Sequence, residues 1–254
     1  MKVQFASDLH LEFEENSLFI KDFPLIPCGD ILLLAGDIGY IGHGTYKEHP
    51  FWDWASENFN QVLVVPGNHE FYGGYDTIRL KNGMKEEIRD NIHWYYNKCE
   101  VINGVEFLLT PLWSFIPVSA EDNVTSHMPD FKFINYNGKG LTADIYNKMH
   151  EQCISFLKYA LHEDKKGIRV VVSHHLPSVK CMAEEFKGSA LSNAFYTDLD
   201  SLIKMNIPEY WIFGHSHRNI RDIRIGQTRL YSNQLGYVNL KENLSFDRSM
   251  SIVL

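Results

Sequence analysis

The chain has 254 residues, 44% hydrophobic and 22% charged, an ordinary globular composition that excludes a disordered, fibrous or coiled-coil protein. Lys and Arg number 24 against 32 Asp and Glu, so the net charge is −8 and any nucleic-acid contact has to be local. The longest apolar run, residues 31–35, is far too short to cross a bilayer, and the N-terminus carries no secretory pattern. Cys28, Cys99, Cys153 and Cys181 are scattered and include no C-x-x-C pair. A cytoplasmic protein with reduced cysteines and no zinc–thiolate knot is expected.

In chain order, residues 2–6, 31–35 and 61–65 read as short apolar strands bounded by Gly, Pro, Asp or Asn. Residues 51–59 place Phe51, Trp52, Trp54, Ala55 and Phe59 at helical spacing. Residues 76–90 read as a second helix through Ile78, Leu80, Met84 and Ile88, with Gly83 weakening its middle. Residues 92–95, 100–102 and 105–110 suggest a meander, with Asn103-Gly104 as a tight hairpin turn. An insertion, 111–166, starts with an irregular aromatic-rich stretch. It ends in a helix capped by Thr142, with a stripe through Ile145, Met149, Cys153, Phe156, Leu157, Ala160 and Leu161. Gly167 stops that helix. Residues 168–173 and 209–213 are further buried strands, and the tail 219–254 reads as antiparallel. Without repeats or a flexible linker, 1–254 is expected to form one α/β domain, with 111–166 as a cap-like insertion over the site.

The ends of five of these strands carry polar, metal-compatible residues. They are followed by Asp8-Leu9-His10, Gly36-Asp37, Gly67-Asn68-His69-Glu70, His174-His175 and Gly214-His215-Ser216-His217. In open α/β sheets the ligand site lies beyond the carboxyl ends of the strands, so these residues converge. Imidazole, carboxylate and amide oxygen suit zinc, iron or manganese. In D-x-H and H-x-H the two side chains point the same way if the strand end is extended, whereas adjacent Asn68 and His69 diverge. Each motif alone has an ordinary reading: a polar loop, a helix cap, an Asx turn, two surface histidines. The ordered set at five strand ends is far more specific than any member.

That ordered set resembles the calcineurin-like metallophosphoesterase superfamily. Leu112-Trp113-Ser114, Met128-x-Asp130-Phe131, Thr228-Arg229 to Asn233 and Gly236-Tyr237 further resemble small bacterial and phage members of it. The resemblance implies a four-layer α/β/β/α sandwich holding two divalent ions (Mn, Fe, Zn or Ni, with Mn best supporting activity). Asp8, His10 and His217 would bind the first ion, Asp37 would bridge, and Asn68, His174 and His215 would bind the second. His69 would face the phosphoryl group. The expected reaction is hydrolysis of phosphodiesters or small phosphomonoesters by a metal-bridging hydroxide, with His69 protonating the leaving oxygen or stabilising phosphoryl charge.

His175 is expected to point away from the ions, and His43, His49, His93, His150 and His162 show no partner pattern. His127 and Asp130 could face the site, with core or surface roles favoured, and Trp113, Phe115, Phe131 and Phe133 could form a wall for a base, although aromatics in a covering segment more often pack it down; if 111–166 caps the site, replacing Trp113 or Asp130 should change KM or substrate preference. Two other functions compete. A DNA or RNA nuclease could use the same metal site, but the insertion lacks a dense basic stripe. A non-catalytic metal-containing scaffold usually lacks the histidine matched by His69, which this chain keeps. A small phosphorylated substrate is the expected partner, with nucleic acid not favoured and no membrane.

Overall fold

The computed structural model describes residues 1–254. Two six-stranded sheets form the centre. The first runs, edge to edge, through Ser251–Val253, Lys2–Ala6, Ile31–Ala35, Gln61–Val65, Ile92–Tyr96 and Met84–Arg89. The second runs through Ile223–Ile225, Thr228–Ser232, Tyr210–Phe213, Ile168–Ser173, Val105–Thr110 and Lys98–Ile102. In each, four central strands are parallel and both edge strands are antiparallel to their neighbours.

Strand periodicity divides the core. Val3, Phe5, Leu33, Leu63, Phe107, Leu109, Val170, Val172 and Ile212 fill the space between the sheets. Adjacent residues of the same strands, such as Leu32, Val62, Leu108, Val171 and Trp211, face outward under helices. Helix Pro50–Asn58 packs on the first sheet and helix Ala143–His162 on the second. Side chains buried on both faces explain why these strands are nearly uniform apolar runs. The four-layer α/β/β/α arrangement follows.

Several local expectations are corrected. Residues 76–90 are not a helix: a single 3-10 turn, Thr77–Arg79, precedes edge strand Met84–Arg89, and Gly83 at φ +85° breaks the chain between them. The meander is split, because Asn97 (φ 48°) sends the chain from the first sheet at Tyr96 to the second at Lys98. Asn103 and Gly104 do turn the hairpin, both with positive φ as a type I′ turn requires. The tail is only partly antiparallel, since Thr228–Ser232 runs parallel to Tyr210–Phe213. Helices Glu14–Asp22 and Asp200–Asn206 were not anticipated. No helix is long and apolar enough to cross a membrane.

Candidate metal centre

The site lies where the central strands of both sheets end. Asp8, Asp37 and Asn68 follow three parallel strands of the first sheet, and His174 and His215 follow two of the second. The backbone there is not an extended continuation. Asp8, His10, Asp37, His215 and His217 all hold positive φ, from 47° to 78°. Non-glycine residues in this region cost of order 1–3 kcal/mol each and collect at functional sites. Loop-to-loop hydrogen bonds hold them. The N–H groups of Asp8 and His10 donate to the carbonyls of Gly36 and Asp37, each at 2.9 Å, and the His215 N–H donates to the Asp8 carboxylate at 3.0 Å. Asn68 is likewise helical (φ −75°, ψ −36°) and leads into the 3-10 turn His69–Phe71. Glycines permit the closest approaches: a Cβ at Gly36 would stand 2.3 Å from the His174 imidazole, and one at Gly67 2.2 Å from the Asp37 carboxylate.

The seven side chains converge into two groups that share Asp37. One comprises Asp8, His10, Asp37 and His217, and the other Asp37, His174 and His215, each with donor atoms within 4.8 Å of one another. Asn68 joins the second group, its Oδ1 3.0 Å from His174 Nε2.

The imidazole orientations test whether cations fit. His10 Nδ1 lies 3.1 Å from Glu12 and His217 Nδ1 lies 2.7 Å from Glu242, so both donate to acceptor-only carboxylates. Their Nε2 atoms then carry lone pairs, and these face each other at 3.0 Å. The second group repeats the arrangement. His174 Nδ1 donates to the Ala35 carbonyl at 2.9 Å and His215 Nε2 to the Ala194 carbonyl at 3.3 Å. The free nitrogens, His174 Nε2 and His215 Nδ1, lie 3.1 Å apart. Asp37 Oδ2 sits between the pairs, 3.9 Å from His10 Nε2 and 3.4 Å from His174 Nε2. Opposed lone pairs repel unless a cation lies between them, and fixing one ring nitrogen to aim the other is how proteins orient metal-binding histidines. The residues therefore fit cations in both groups, with Asp37 common to the two. Burial alone would lower all four imidazoles. Asp8 and Glu242 outweigh it at His217, pushing it up to about 10, and Asp37 does so at His174, pushing it to about 9, whereas His10 and His215 stay low. Without a metal, one ring of each pair takes up a proton instead.

Three carboxylates support the site: Glu70, which ends the motif Gly67-Asn68-His69-Glu70, and Glu12 and Glu242, which were not singled out from the sequence. Glu70 is fully buried, and its carboxylate accepts from the backbone N–H groups of Asp37 (2.9 Å), Ile38 (2.7 Å) and Gly67 (2.6 Å), tying two site loops together. Burial and then the Asp37 charge push Glu70 up to about 8, against the pull of those N–H groups. A glutamine would turn an amide N–H₂ toward N–H donors. Glu70→Gln is therefore expected to destabilise the metal-free fold by about 1–3 kcal/mol, the usual penalty for an unpaired buried donor, read by denaturant unfolding. Glu12 bonds both His10 and His69, the latter at 2.9 Å, and its position in Asp8-x-His10-x-Glu12 was the available signal. Glu242, which orients His217, lies 25 residues further along the chain, with no motif to mark it.

His69 lies at the cavity edge, between Glu12 at Nδ1 and the Tyr237 hydroxyl, 3.4 Å from Nε2. Burial opposes its charge, but Asp37 and Glu12 outweigh burial and raise its pKa. His175 turns away: its Nε2 lies 3.2 Å from the Tyr146 hydroxyl, behind His215.

The insertion contributes differently from the expectation. Trp113 is fully buried against Phe71, Tyr146 and His175, and His127 is exposed. Neither lines the site cavity, nor do Phe115, Phe131 and Phe133, so they form no base-stacking wall. Asp130 also lies outside the cavity lining. It is buried behind Asn68, accepting from Asn68 Nδ2 at 2.9 Å and from the Tyr72 hydroxyl. These bonds aim Asn68 Oδ1 at the second group. Asp130→Ala is expected to weaken binding of one of two metals by about 10–100-fold, with the KM of metal-saturated enzyme little changed. Metal titration followed by kinetics at saturating metal checks this.

A family model, calcineurin-like phosphoesterase, matches residues 1–219. The chain belongs to that family. It is accordingly a metal-dependent phosphoric ester hydrolase. It is 27% identical over 270 residues to an uncharacterised protein of Acanthamoeba polyphaga mimivirus, covering 96% of this chain and 94% of that one. Among solved structures it is similar to the phosphopantetheinyl hydrolase of Mycobacterium tuberculosis. That match has a TM-score of 0.67 at 17% identity and covers 99% of this chain and 95% of the other. At that identity the likeness speaks for the fold.

Proposed function

We propose that this phosphoesterase uses two divalent cations to hydrolyse small phosphorylated molecules. The observation that carries the reading is the pair of opposed imidazole lone pairs on either side of Asp37. Asp8, His10, Asp37 and His217 would hold one cation, and Asp37, Asn68, His174 and His215 the other. The cations supply positive charge that binds the phosphoryl group and makes water acidic enough to attack near neutral pH.

The chain's own residues do the rest. Glu12 and Glu242 fix the ring orientations of His10 and His217, and Asp130 and Tyr72 fix the amide of Asn68. His69, raised by Asp37 and Glu12, delivers a proton to the leaving oxygen or hydrogen-bonds the phosphoryl oxygens. The insertion 111–166 belongs to the same domain and closes one edge of the site through Met128 and Pro129. Manganese suits the mixed imidazole, carboxylate and amide set, and a reducing cytoplasm suits four unpaired thiols.

Chelation is expected to abolish hydrolysis of a chromogenic phosphodiester, and added manganese to restore it, with about two ions bound per chain by elemental analysis. Full activity in metal-stripped protein would overturn the reading.

A further inference from the structure

The cavity in front of the metal centre measures about 430 Å³, within the range of small-molecule sites. Its lining is mixed. Part of it is formed by Asp37, Asn68, His69, His215 and His217. The rest of the lining includes five apolar side chains, Met128, Met182, Phe186, Leu191 and Phe195, four of them from the irregular segment between strand Ile168–Ser173 and helix Asp200–Asn206, which also brings Ser189 and Ser192. No Lys or Arg lines the cavity. Arg218, next to the lining residue His217, is already bonded to Glu185 at 3.1 Å and Glu242 at 3.3 Å.

We propose that the substrate is a phosphodiester carrying one uncharged apolar arm, which lies along Met128, Met182, Phe186, Leu191 and Phe195. The inference rests on the phosphoesterase reading above and narrows it. Charge decides against a monoester. A monoester dianion brings one more negative charge than a diester, and beyond the bound cations and His69 the cavity lining offers no side-chain cation to receive it. Apolar surface decides what the arm is. The five side chains gain most by covering an alkyl or similar chain, at about 0.8 kcal/mol, or roughly three- to four-fold, per buried methylene. A nucleobase is disfavoured because the two rings of the wall are already engaged. Phe195 lies 4.7 Å from the His215 ring, and the Arg218 guanidinium lies 5.2 Å over Phe186. In the reaction water supplies the attacking oxygen, one P–O ester bond breaks, its oxygen leaves as an alcohol, and a phosphomonoester remains.

The test uses a series of alkyl p-nitrophenyl phosphates from methyl to octyl, with manganese-loaded protein, alongside p-nitrophenyl phosphate, bis(p-nitrophenyl) phosphate and a nucleoside p-nitrophenyl phosphate. Expected are a kcat/KM that climbs about three- to four-fold per methylene until the wall is covered, and one equivalent of nitrophenolate, not two, from the bis ester. Leu191→Ser and Phe186→Ser, both at partly exposed positions, should lower the octyl-to-methyl ratio of kcat/KM by about ten-fold or more. A flat series, two equivalents released, or preference for the monoester or the nucleoside arm would overturn the substrate class while leaving the phosphoesterase intact. No hydrolysis of any ester with manganese, nickel or zinc would overturn the phosphoesterase reading, and the inference with it.

Discussion

Asp37→Asn is expected to reduce phosphoesterase activity by more than about 10³-fold, beyond the loss that follows removal of one hydrogen-bond donor to a transition state. Asp37 is the one side chain common to both donor groups. It stands within 4 Å of an imidazole from each. It also accepts the backbone N–H of His69 at 2.9 Å, so its charge also holds the 67–69 loop. The substitution keeps the volume and removes the negative charge. Measured metal content should fall for both ions, not for one. A variant with two tightly held ions and near-normal kcat would show that Asp37 bridges nothing. Unfolding of the metal-free variant, measured in parallel, separates loss of metal from loss of fold.

His69→Ala is the complementary case, because it should remove chemistry and leave the metals. The ring belongs to neither Asp37-sharing group. It lies at the cavity edge, bonded to Glu12 and near the Tyr237 hydroxyl. The expected loss is about 10²–10⁴ in kcat, the usual size for general acid–base catalysis, with two ions still bound. If His69 protonates the leaving oxygen, the loss shrinks for nitrophenolate, which needs no proton, and is full for an alkoxide. If it stabilises phosphoryl charge, the loss is the same for both. Two diesters of different leaving-group pKa, assayed with wild type and variant, distinguish these roles. Loss of an ion from the variant would show instead that His69 is a ligand.

The sequence by itself determined the strands that build the platform and the polar residues that end them. Residues 2–6, 31–35, 61–65, 105–110 and 168–173 read correctly because burial on both faces demands an apolar residue at nearly every position. The motifs Asp8-x-His10, Gly36-Asp37, Gly67-Asn68-His69-Glu70 and Gly214-His215-x-His217 were legible for a related reason. Several chemically loaded residues fall within a few positions of one another, so the pattern survives without knowledge of the fold.

Elements whose pattern is one-sided were not legible. Met84–Arg89 is an edge strand with Ile88 its one buried residue, and its apolar spacing fits a helix as well. The positive-φ turns at Asp8, His10, His215 and His217 were also invisible, since they depend on loops from two sheets pulling on one another. The supporting residues were decided by tertiary structure alone. Glu70 reaches back 33 residues to the Asp37 loop, Asp130 reaches 62 to Asn68, and Glu242 reaches 25 to His217. Glu70 and Asp130 stand in quoted motifs, but nothing local shows what each carboxylate bonds, because that is set by a buried donor elsewhere that needs an acceptor. The same holds for the apolar wall. Met182, Phe186, Leu191 and Phe195 follow no period in the chain, and only the packing of their irregular segment brings them into the cavity that His69, His215 and His217 also line.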